Sequence, residues 1–101
     1  MRILRHPDEW ARGVIGLTKE QAQDGALFIM NQDAYWPISM DRVDFPLDIF
    51  WLSESGMVVE HAELFPGMPV YWPEETALMV LELPMQTIPC FKVGDFVEVP
   101  R

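Results

Sequence analysis

The stretch "VDFPLDIFWL", residues 43–52, decides how this chain is read. Its odd positions Val43, Phe45, Leu47, Ile49 and Trp51 are all apolar, so in an extended strand one face is continuous hydrocarbon. The other face mixes Asp44, Pro46 and Asp48 with Phe50, so either these acids face water or at least one sits in a buried or cleft position with a partner. A bare carboxylate on a mostly apolar strand is too costly to bury without donors. Asp48 is thus a structural acid, served by backbone amides or by Arg42 or Arg12, a ligand-facing acid in a cleft, or a plainly exposed one. Pro46 removes a ladder donor, which places that point at an edge, a bulge or a bend.

Outward from this strand, the pattern is repetitive. "RIL" at 2–4, "ALFIM" at 26–30, "YWPISM" at 35–40, "MVVEHAELF" at 57–65, "TALMVLELP" at 76–84 and "FVEV" at 96–99 all read as strands. "NQDA" at 31–34, "DR" at 41–42 and "SESG" at 53–56 read as the turns between them, and Pro66 to Glu75 as an irregular loop. "TALMVLELP" is apolar on both faces except at Glu82, which predicts a central strand. "HPDEWARGVIGL" predicts a helix, with Pro7 at its first turn, Trp10, Val14 and Leu17 as the buried stripe, and Gly16 at its end. Thr18 and Gln21 have capping-box spacing, and "MQTIPCF" suggests a further helical turn. The expectation is one mainly β domain over residues 1–101, a β-sandwich or barrel with one or two short N-terminal helices.

Composition narrows the function. Sixteen acids against seven bases give a formal charge of −9, and no basic cluster exists to engage a nucleic-acid backbone. The same acidity disfavours an anionic membrane, and no stretch approaches the length of a membrane span. The N-terminal apolar run is too short for a signal peptide, so the expected location is the cytoplasm. Cys90 is the single cysteine, which rules out an internal disulfide and a multi-cysteine zinc site and suggests a buried structural thiol. No cofactor or metal site is expected. His61 lies near Glu60 and Glu63, but alternation sends Glu60 to the opposite strand face, so His61 is expected to be solvated.

Four blocks in order, "GLTKEQAQDGALFIM", "MDRVDFPLDIFWLSESGMVVE", "ALMVLELPMQT" and "KVGDFVEV", resemble the family called domain of unknown function 192. The resemblance covers about residues 12–99 and implies a compact β domain of jelly-roll-like character with short helices. It implies no reaction, because the family's activity is not established. Many members carry an export signal, which this sequence does not show. Ile38, Ser39, Met40, Asp41, Arg42 and Val43 stand where the family pattern has aromatic-Trp-Met-Lys-Asn-Thr, so whatever that polar stretch binds, this chain meets it differently.

The candidate ligand-binding residues are Trp36, Asp41, Arg42, Asp48 and Glu82, with Tyr71 and Trp72 of the 66–75 loop as a rim. The expected role is non-catalytic: binding a small polar ligand in a cleft near Asp48. One alternative is a protein–protein interaction module using the 66–75 loop, where Tyr71 and Trp72 would form an exposed patch. Another is a hydrolase with Asp48 and Glu82 as paired carboxylates. The partner is a small molecule or a protein, and the chain a monomer or weak homodimer.

Overall fold

The computed structural model describes residues 1–6 and 17–99. Five strands form one sheet: β1 (Arg2–Leu4), β2 (Ala26–Ala34), β3 (Leu47–Leu52), β4 (Val58–Leu64) and β5 (Ala77–Pro84). Their spatial order is β1-β2-β5-β3-β4. Only β1 pairs in parallel, with β2; the other pairings are antiparallel. The strand read as central is central, since β5 lies between β2 and β3.

All six residues of β3 are buried, because the sheet is covered on both faces. Leu47, Ile49 and Trp51 join Phe28, Leu64 and Val80 in one core. Phe50 and Leu52 join Leu27, Val58, Met79 and Leu81 in the other. The Trp51 face is roofed by Ile38, Met40, Val43 and Phe45 with Tyr71, and the Phe50 face by Phe91, Val97 and Val99.

These roofs are irregular chain, which corrects the β-sandwich and jelly-roll expectation. "YWPISM" contributes only the bridge Ile38↔Tyr71, and "FVEV" only Met57↔Phe96. Pro37, Pro69 and Pro73 interrupt the first covering layer and Pro89 the second, and each proline withholds a ladder donor. The roofing segments therefore bury apolar side chains without building a second sheet. "NQDA" is also not a turn: β2 continues through it, but the register with β5 slips between Ile29 and Ala34. That irregularity lets Asn31, Gln32 and Asp33 stand exposed in an extended strand.

The expected helix over 7–17 lies almost wholly outside the described residues, as does Arg12. Thr18 and Gln21 do make the reciprocal capping-box bonds, Thr18 N to Gln21 Oε1 at 2.9 Å and Gln21 N to Thr18 Oγ1 at 3.1 Å. They close a turn and not a helix, for Gly25 follows at φ 78° and directs the chain into β2. "MQTIPCF" is likewise not helical.

Pro46 sits immediately before β3, where a missing donor costs no ladder bond, and its carbonyl accepts Met85 N–H at 3.0 Å. β3 and β4 are joined through the turn Ser53–Gly56, whose Gly56 has φ 92°. A Cβ on Gly56 would lie 2.6 Å from the Val97 carbonyl oxygen, whereas Gly67, at φ 85°, has open space around it. Gly56→Ala is therefore expected to cost about 2–3 kcal/mol, and Gly67→Ala only about 1, in urea unfolding midpoints. Equal losses would show that backbone strain alone, and not the contact with Val97, sets the cost.

A candidate ligand cleft beside Asp48 and His61

Alternation along β3 places Asp48 on the Phe50 face, and β4 brings His61 directly opposite Phe50. The imidazole stacks on the Phe50 ring, with centroids 4.6 Å apart and planes 11° from parallel. This position carries His61 Nε2 to 2.8 Å from Asp48 Oδ1. Asp48 is 1% exposed, and its Oδ2 accepts the backbone N–H of Gln86 at 3.3 Å. Nε2 and Oδ1 share this hydrogen bond, and Nδ1 is left as the ring's second polar atom. A buried acid thus fixes the tilt of a histidine whose side chain is 21% exposed.

His61 forms one wall of an open cleft of about 570 Å³. The rest of the lining comes from residues 88–93 and Asp95, with Ile88, Pro89, Phe91 and Val93 as its apolar part. Phe91 meets Phe50 edge-on at 5.5 Å, so one buried ring supports both the histidine and the opposite wall. A second opening of about 550 Å³ lies alongside, bounded by Gln23, Leu83, Gln86 and Thr87. Ile88 and Cys90 line both. Cys90 is exposed, against the expectation of a buried thiol.

The sequence candidates do not gather in one hollow. Asp48 pairs across the sheet with Leu83, and Glu82 with Ile49, so the two acids project from opposite faces. That separation removes the geometry a paired-carboxylate hydrolase needs from Asp48 and Glu82. Glu82 is 6% exposed, on the Trp51 face between Ala26 and Ile49. Burial pushes its carboxyl up to about 7, partly opposed by the charge of Arg2. Asp41 and Arg42 are about three-quarters exposed and pair with each other at 3.4 Å, so Arg42 is not the partner of Asp48.

Trp36 packs on the Trp51-face core, and its Nε1–H reaches the Ala77 carbonyl at 3.0 Å. Its own carbonyl accepts Trp51 Nε1–H at 3.0 Å, so its bonding is architectural. Tyr71 rests against Trp51 and donates to Glu60 Oε2 at 2.7 Å. That hydrogen bond, more than burial, pushes the phenol up to about 12. The other Glu60 oxygen accepts Glu74 N–H at 2.8 Å and Glu75 N–H at 3.0 Å. Glu60 therefore ties the 66–75 loop to β4, while Trp72 remains 65% exposed.

His61 was expected to be solvated and is instead the partner of Asp48. The signal that could have found it is the parity of the β3–β4 hairpin, which a bulge between Trp51 and Leu52 alters. No cluster of three or more potential metal-ligating side chains occurs among the described residues. Nor is any helix there long and apolar enough to cross a membrane.

No curated protein matches the chain. Among solved structures, a protein of unknown function from Novosphingobium aromaticivorans DSM 12444 is similar, with a TM-score of 0.79 and 24% identity. That likeness covers 96% of this chain and 72% of the other. A "putative transcription regulator" from Sinorhizobium meliloti 1021 is similar with a TM-score of 0.71 and 20% identity. There 81% of this chain aligns, and it spans only 65% of that protein's length. Likeness at such identities speaks for the fold alone. The family described as "Uncharacterized ACR, COG1430" matches residues 1–99, and the chain belongs to this family, DUF192.

Proposed function

We propose that the domain binds a small ligand non-catalytically in the cleft walled by His61 and residues 88–95. The observation that carries this reading is the buried Asp48 carboxylate, which holds a half-buried histidine at the cleft wall. Binding sites combine apolar walls with a few oriented polar groups, and this cleft has both. Asp48 acts beneath the surface, by orienting His61. Trp36 and Glu82, on the opposite face, play no part in contact with the ligand.

The test is a fragment screen by protein-observed NMR on the whole chain, followed by His61→Ala. The expected hits shift the resonances of His61, Phe91 and Val93, and lose at least about fivefold in affinity in the variant, the worth of one hydrogen bond. Hits that bind elsewhere, or bind His61→Ala unchanged, would remove the reading.

A second reading, a protein-docking loop, is favoured by one feature: Trp72, Val70 and Phe65 are exposed although Tyr71 beside them is anchored. Trp72→Ala would separate the two readings, because it leaves the ligand cleft untouched.

A further inference from the structure

We infer that the ligand is a small organic anion, an apolar body bearing one carboxylate, with Lys92 as the residue that selects its charge. This rests on the cleft reading above and adds the chemical class. In a chain with 16 acids and seven bases, the Lys92 ammonium makes no ion pair among the described residues although it lines the cleft. His61 faces the same hollow, with its Nε2 already committed to Asp48.

Asp95 is the single acid in the lining among the described residues. Its Oδ2 accepts the backbone N–H of Lys92 at 3.0 Å, and its backbone N–H returns to the Lys92 carbonyl at 3.0 Å. That carboxylate is therefore engaged in holding the Lys92–Asp95 turn. The overall charge of −9 repels anions at long range, but screening confines such fields to roughly 8 Å in physiological salt. Selection is consequently local, and the ammonium nearest the hollow decides it.

The apolar body has its own complement. Ile88, Phe91 and Val93 offer hydrocarbon surface, Ile88 and Val93 largely exposed, and Phe91 is fixed edge-on against Phe50. About 570 Å³ accommodates a body of phenyl size with room for water around the head group. The carboxylate would meet Lys92 as a charge-assisted contact, and the body the apolar wall.

Three probes of nearly equal shape test this with the full chain: phenylacetate, phenylacetamide and phenethylamine, titrated by NMR against wild type and Lys92→Gln. Phenylacetate is expected to bind about five- to tenfold more tightly than the amide, with the amine weakest. Lys92→Gln is expected to remove most of that preference while leaving amide affinity and the unfolding midpoint unchanged, since Lys92 is exposed. If the amide or amine binds in this cleft as well as the acid, or Lys92→Gln keeps the preference, the anion inference falls and the cleft reading stands. If none of the three shifts the resonances of His61 or Val93 at millimolar concentration, both fall.

Discussion

Glu82→Gln is expected to stabilise the protein by about 3 kcal/mol at pH 8 and to change stability little at pH 4. The carboxyl is buried on the Trp51 face, and its value is pushed from 4.5 up to about 7 by desolvation. Its folded-state value is thus above its unfolded one, and the folded protein holds the proton more tightly. Below pH 4.5 both states are protonated and the full stability is present. Between pH 4.5 and 7 the unfolded chain releases its proton while the folded chain keeps it, so stability falls as pH rises. Above 7 the loss is complete. Glutamine mimics the neutral acid and does not titrate, so the difference between variant and wild type should grow across that window. Urea unfolding at pH 4, 5.5, 7 and 8 measures it. A constant difference, or one that grows towards acid, would refute the account. Arg2→Gln should enlarge the loss, because the Arg2 charge is what favours the ionised form.

Asp48→Ala should have the opposite sign, a loss of about 3 kcal/mol at pH 7. Two hydrogen bonds to a buried carboxylate disappear, to His61 and to Gln86 N–H, and bonds to charged groups are the strong ones. Asp48→Asn should lose somewhat less, about 2 kcal/mol, because one amide oxygen cannot serve both donors. The double variant with His61→Ala should show coupling of roughly 1 kcal/mol or more, as expected for directly bonded partners. Single losses below about 0.5 kcal/mol would mean that the pair is not what holds the cleft wall. Asp48→Ala should also weaken any ligand of the cleft, since it removes the carboxylate that orients His61.

The hairpin joining β3 and β4 shows where sequence reading stops. Alternation in "VDFPLDIFWL" put Asp48 and Phe50 on the face opposite Trp51, and that is where they lie. Which residue of β4 meets them depends on register. Leu52 pairs with Val58, but a bulge follows, and Phe50 then pairs with His61. Without the extra residue Phe50 would face Glu60, Asp48 would face Ala62 in place of Glu63, and His61 would turn to the Trp51 face. A one-residue slip moves every side chain to the other face, and no local pattern in "MVVEHAELF" announces it.

The same bulge leaves Glu60 on the Trp51 face, where it captures Tyr71 and the 74–75 amides. The role of the 70–75 loop was therefore as hidden as that of His61. The second sheet of the expected sandwich failed for a related reason. Apolar content in 35–45 and 91–99 shows that these segments are buried, but burial does not reveal whether backbone donors find a partner strand.

By itself the sequence determined the family, the β character, the central position of β5 and the apolar face formed by the odd positions of residues 43–51. These follow from short-range alternation and proline placement, which act within a few residues. Only the tertiary structure decided that Asp48 and Glu82 lie on opposite faces, that His61 is the partner of Asp48, and that residues 88–93 and Asp95 join His61 in the cleft. Those outcomes depend on strand register and on contacts between segments dozens of residues apart, which local propensity does not encode.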